Sequence, residues 1–229
     1  MINFLKKVFL ERDYIISNQH ITDEYFDITF IEGNISVNKE EYYLLVQSKG
    51  ILDDCIKLLL EKKIEEFESK IKPIKAGAIK NCTLILCAEA NSLDISKVLM
   101  FEEDPFSFKK NVITYTQSQL SNLIEIVGEE RFSDSFIGLM LSASNGKKFD
   151  SFKEGKINNH DYYNLIMMLM IKLPFLKYSN NAAELYDVES VINANLNSSQ
   201  LPVKENCLSL SLDDLNDDEL VKIILDWEK

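Results

Sequence analysis

Residues 82–116 read CTLILCAEANSLDISKVLMFEEDPFSFKKNVITYT, and the parsing of this stretch decides the fold. Thr83–Ala88 and Val98–Phe101 are short apolar runs of the kind that form buried strands, and Val112–Tyr115 is a third β-rich run. Between the second and third lies a compact charged turn, Glu102–Lys110. Pro105 has no N–H and pushes Asp104 out of the α region, so the acidic run Glu102, Glu103, Asp104 ends in a forced turn. Phe106 and Phe108 sit two apart and are followed by Lys109 and Lys110. The segment is thus acidic at one end, aromatic in the middle and basic at the other.

On the amino-terminal side, Phe4, Leu5, Val8 and Phe9 form a helical stripe. Tyr25–Phe30 alternates with the period of a half-buried strand, placing Phe26, Ile28 and Phe30 on one face. Glu32-Gly33-Asn34 reads as a reversal, after which Ile35 and Val37 continue the alternation on a second strand. Tyr42–Val46 reads as a further strand. From Ile51 to Lys70 the apolar residues Leu52, Cys55, Ile56, Leu59, Leu60, Ile64 and Phe67 recur every three or four positions, predicting one long amphipathic helix. The expected arrangement is α+β: a mostly antiparallel sheet with that helix covering one face.

Beyond Thr116 the pattern becomes helical. Thr116 and Gln119 have capping-box spacing ahead of Leu120, Leu123, Ile124 and Val127, and Gly128 is the expected stop. Helices are expected at Ser135–Ala143, Asp161–Leu173 and Ala182–Leu196, with a loop at Ser144–Gly155 and a linker at Asn197–Asn206. These changes predict an α+β lobe over residues 1–116 and a helical lobe over 117–229. The last predicted helix, Leu212–Glu228, combines a spaced apolar stripe with strong negative charge. Residues 205–229 hold eight acids and two lysines, a net −6. Leu220, Ile224 and Trp227 in that stripe either pack on the chain's own helical lobe or lie in a partner's groove.

Composition limits the function classes. The net charge of −12 argues against a broad nucleic-acid surface, because phosphate contacts need clustered Lys and Arg. The four cysteines form no CxxC pair and occupy apolar contexts, as buried thiols do in reducing compartments. The longest apolar run, Leu165–Ile171, is far short of the ~20 residues a membrane span needs. A cytoplasmic protein without membrane contact is expected.

Catalytic signatures are sparse. His20 and His160 lack a second His or Cys at ligand spacing, and no phosphate-binding glycine loop or GxSxG elbow occurs, so no cofactor or metal is expected. One alternative is a restriction-like nuclease in which Glu89 and Asp104 hold Mg²⁺ beside Lys109 or Lys110. Its spacing is unfavourable, since Glu89 leads into a loop and Pro105 separates Asp104 from the lysines. The plainer reading is a solvated turn whose charges pair locally or with a partner. Met167, Met168 and Met170 read as gap-filling core.

Residues 97–116, KVLMFEEDPFSFKKNVITYT, resemble the middle component of bacterial ABC-three-component conflict systems, the small accessory subunit of Lamassu-type anti-phage operons. The Tyr42–Val46 strand, the helix after it and the Thr83–Ala88 strand fit the same order. The resemblance implies a non-enzymatic subunit that binds an SMC- or Rad50-like ATPase, which in turn restrains a nuclease effector, with DNA contacted only through the complex. On this view the partner-binding residues are Glu102, Glu103, Asp104, Phe106, Phe108, Lys109 and Lys110 in the turn, with Leu220, Ile224 and Trp227 near the carboxy terminus.

Overall fold

A computed structural model describes residues 1–18, 21–36, 39–49, 54–75, 77–90, 93–144, 146–158, 161–178, 188–209 and Val221. It divides into two compact units, Met1–Asn181 and Ala182–Lys229. The first opens with α1 (Ile2–Leu10), whose Phe4, Leu5, Val8 and Phe9 are buried as the stripe predicts. A short β1 (Ile15–Ile16) pairs antiparallel with β2 (Phe26–Ser36), which pairs antiparallel with β3 (Lys39–Ser48).

Gly33 and Asn34 make no reversal; they stay inside β2 opposite Glu41 and Glu40. Gly33 is required there for another reason: a Cβ would lie 2.6 Å from the Tyr14 ring and 3.1 Å from the Glu41 carbonyl oxygen. Val37, expected on a separate strand, lies outside the described residues.

After β3 the chain enters a helical run built from α2 (Cys55–Leu58), a π-helical segment (Leu59–Lys63) and α3 (Ile64–Ile71). Asp54 caps it, accepting from the Lys57 N–H, and Cys55, Ile56, Leu59, Ile64 and Phe67 are buried. The run leads to β4 (Cys82–Glu89), which lies parallel to β3, Leu45 opposite Ile85. Val98–Phe101 is not a strand. It belongs to α4 (Ile95–Glu103), started by Asp94, whose carboxylate accepts from the Ser96 N–H.

This correction changes the topology. A helix between β4 and β5 (Lys109–Tyr115) makes that connection a crossover, and the two strands run parallel, Leu86 opposite Val112. The sheet is therefore mixed, in the order β1-β2-β3-β4-β5, with two antiparallel and two parallel pairings in place of the mostly antiparallel sheet expected. The α+β class stands.

Both faces are covered, as the near-continuous apolar run of β4 requires. On one face Tyr42, Leu44, Val46, Leu84, Leu86 and Val112 meet the 55–71 run and Phe101. On the other, Tyr43, Leu45, Ile85, Ile113 and Tyr115 meet α1 and the helices that follow β5. Those are α5 (Gln117–Val127), α6 (Asp134–Leu141), α7 (Lys147–Lys153) and α8 (Tyr162–Lys172). The expected capping box is present at Thr116 and Gln119, and Gly128 ends α5 with φ +52°. α7 replaces part of the loop expected at Ser144–Gly155. Met167, Met168 and Met170 pack against the core partly buried. Arg12 ties α1 to the start of α6 through Asp134 at 2.6 Å and the Phe132 carbonyl at 3.0 Å.

Within the second unit, α9 (Val188–Asn195) and α10 (Gln200–Ser209) are described. α10 overlaps the expected linker. Asn197 caps it through Oδ1, which accepts from the Ser199 and Gln200 N–H groups. Pro202 falls in the first turn, where its missing N–H breaks no helical bond. Leu220, Ile224 and Trp227 lie outside the described residues, as do His20 and His160. No helix among the described residues is long and apolar enough to cross a membrane.

Candidate functional site

The charged turn that the sequence singles out is organised by one buried lysine. The Lys110 side chain is fully inaccessible, and its ammonium lies 2.7 Å from the Asp104 carboxylate. The same ammonium donates to the carbonyls of Asp104 at 3.2 Å, Phe108 at 3.1 Å and Phe106. Ser107 adopts a left-handed φ of +66°, unusual for a residue with a side chain. That single residue reverses the alternation expected of two phenylalanines two apart. Phe108 turns into the core at 1% exposure, whereas Phe106 stands at 74%.

Glu102 is also committed within the fold. Its Oε1 accepts from the Val112 N–H at 2.7 Å and from Lys172 Nζ at 2.6 Å. Asn111 Nδ2 donates to the Lys172 carbonyl at 3.0 Å. Together these bonds close the outer edge of β5, which would otherwise present free strand groups. Phe108, Lys110 and Glu102 are thus occupied by the chain itself, and the turn offers Glu103, Phe106 and Lys109 to solvent.

The helix before the turn supplies what the sequence reading missed. Val98 and Phe101 of α4 face the sheet, leaving Ile95, Leu99 and Met100 outward at 77%, 52% and 53% exposure. Leu99 and Met100, with Leu60, Ile64 and Phe106, line a groove of about 830 Å³ between the 55–71 run and α4. Glu65, Glu103 and Asp104 also line it. Lys97 reaches Asp54 and fastens α4 to the start of α2; hydrogen bonds from Lys97 and the Lys57 N–H hold the Asp54 carboxyl below its ordinary pKa. The signal for this helix was present in Asp94-Ile95-Ser96, a capping residue ten positions before the Asp-Pro stop.

The two-carboxylate metal site does not form. Parallel register places Glu89 opposite Tyr115 at one end of the β4–β5 pair and Leu84 opposite Lys110 at the other. Glu89 lies five strand positions from Leu84, roughly 16 Å at ~3.3 Å per residue. Asp104 is held at the Lys110 end, while Glu89 accepts a hydrogen bond from Gln117 at its own end. Ligands of one Mg²⁺ each sit about 2.1 Å from the ion, so these two carboxylates cannot share it. No cluster of three or more His, Cys, Asp or Glu suited to a metal ion occurs among the described residues.

A smaller hollow of about 510 Å³ beside α1 combines Lys6, Lys7 and Arg131 with Leu10, Glu11 and Asp13. Its charges are mixed.

Residues 42–136 match the family model for the ABC-three component (ABC-3C) system Middle Component 1. The matched stretch extends from β3 into α6 and contains the 55–71 run, α4 and the turn. No curated protein and no solved structure matches the chain.

Proposed function

We propose, taking the match of residues 42–136 to the ABC-3C middle component as the premise, that the protein is a non-enzymatic accessory subunit of a Lamassu-type anti-phage complex. It binds an SMC- or Rad50-like ATPase that controls a nuclease effector, acts in the cytoplasm and reaches DNA only through the complex. A middle component of a multi-subunit system has protein partners, and the observation that carries the reading is a group of exposed apolar side chains on one helix and the turn after it. Within the matched region, Ile95, Leu99, Met100 and Phe106 are held outward by a fastened helix and a pinned turn. Covering them with another protein contributes on the order of 1–2 kcal/mol per side chain. Among the described residues Phe106 joins neither apolar cluster.

Co-expression with an SMC- or Rad50-like ATPase and a nuclease effector of such a system tests the proposal. The subunit is expected to copurify with the ATPase and to leave DNA uncut when incubated alone with Mg²⁺. Glu103→Lys and Lys109→Glu change exposed charges on the turn and should reduce the recovered complex while shifting stability by less than ~0.5 kcal/mol. Mg²⁺-dependent cleavage by the isolated protein, or the absence of any complex, overturns the reading.

A further inference from the structure

The groove beside α4 carries more information than its exposure. We infer that it receives one amphipathic helix of a partner subunit, presenting apolar anchors flanked by Lys or Arg. This rests on the reading of the chain as a partner-binding subunit and names the chemistry of what binds.

Shape gives the first argument. The groove runs between two helical elements, and its floor and walls are the apolar side chains Leu60, Ile64, Leu99, Met100 and Phe106. A helix laid along such a groove fills it with residues from one face. Leu60 belongs to the π-helical segment, a widened turn that recurs at functional sites. At the other wall, a left-handed Ser107 and a buried lysine hold Phe106 away from the core. Strain of this kind persists only where the surroundings enforce it.

Charge gives the second. Glu65 and Glu103 line the groove, both are exposed, and neither has an ion pair among the described residues. Asp104 is the third acid, already neutralised by Lys110. No Lys, Arg or His lines the groove among the described residues. An occupant with flanking cations gains from both glutamates, whereas an acidic one is repelled. A second copy of this chain is a poor occupant, because face-to-face docking sets Glu65 and Glu103 against themselves on molecules of net −12 each.

The test uses full-length protein co-expressed with the ATPase and effector subunits. A photocrosslinking amino acid at Met100 is expected to form adducts on an apolar helix flanked by Lys or Arg in one of those subunits. Leu99→Asp and Phe106→Ser should each lower recovery of the complex at least about tenfold, while Leu139→Asp, on exposed α6 surface, leaves it unchanged. The Glu65→Lys/Glu103→Lys variant should bind about fivefold more weakly and lose the salt sensitivity of the wild type. Phe106→Ser and the charge variant alter exposed side chains, so thermal melting should match the wild type even if Leu99→Asp disturbs α4. Adducts on an acidic or uncharged segment, or on a second copy, overturn the assignment, as does a complex indifferent to Phe106→Ser and the double charge change. If the wild-type chain recovers no ATPase or effector, the subunit reading fails first; if the complex forms but resists every groove variant, only the groove assignment falls.

Discussion

Lys110 shows how much structure one side chain can hold. Its ammonium is the donor for three carbonyls and a carboxylate in a turn of seven residues, and its own side chain is wholly buried. Lys110→Met keeps the apolar stem and removes the donors. The Asp104 carboxylate and three carbonyls then lose their partner, and the loss should approach the ~3–5 kcal/mol typical of breaking a buried pair. Urea unfolding checks this, and a midpoint equal to the wild type would show that the turn is held by something else. The sequence made the charges of this turn visible but not their pairing. Local pairing was one of two open readings, and it holds for Asp104 and Lys110. Phe106 and Phe108 read as a pair because alternation puts residues two apart on one face. The positive φ of Ser107 defeats that rule, and nothing about a serine announces it.

At the level of elements, legibility followed the clarity of the cap and of the apolar period. α5 was readable because Thr116 caps it and its apolar residues face one way; α8, apolar on most sides, was readable by its length. α4 was not, because Ile95, Leu99 and Met100 are apolar on its outer face, so no helical period separates inside from outside. A run apolar all round reads as a buried strand, and that misreading hid the groove. The last turn of the same helix carries Glu102, whose carboxylate is the acceptor that keeps the Val112 N–H of edge strand β5 occupied. Glu102→Ala should leave that N–H and the Lys172 ammonium without their acceptor, costing about 1–3 kcal/mol. Amide exchange should accelerate at Val112 more than at Leu86 on the neighbouring strand. Equal acceleration at both positions would indicate general loosening instead of an opened edge.

On the scale of the first unit, the sheet separates two apolar clusters, and one of them is rich in tyrosine. Burial raises the phenol pKa of Tyr14, Tyr43 and Tyr115, the last to about 12, from an ordinary 10.0. A raised folded value means that the neutral phenol contributes its stability in full below pH 10.0 and loses it as pH rises through the folded value. Melting temperature should therefore hold steady from about pH 7 to 9 and fall above about 10. Tyr115→Phe, which removes one of these phenols, should make the alkaline fall shallower; an unchanged slope would mean that Tyr115 ionises alike in the folded and unfolded chain. The class of fold was legible because strands cluster before Thr116 and helices after it. The direction of the strands was not, since a parallel pairing depends on what crosses between two strands and not on the strands themselves. That dependence has a consequence for synthesis. β2 and β3 zip together as soon as both have emerged, but the outer edge of β3, along Tyr42-Tyr43-Leu44-Leu45-Val46, waits for residues 49–81 to be translated before β4 can cover it. At ~5–20 residues per second the nascent chain displays this sticky border for several seconds, a window in which ribosome-bound chaperones and translation speed govern the yield of native protein.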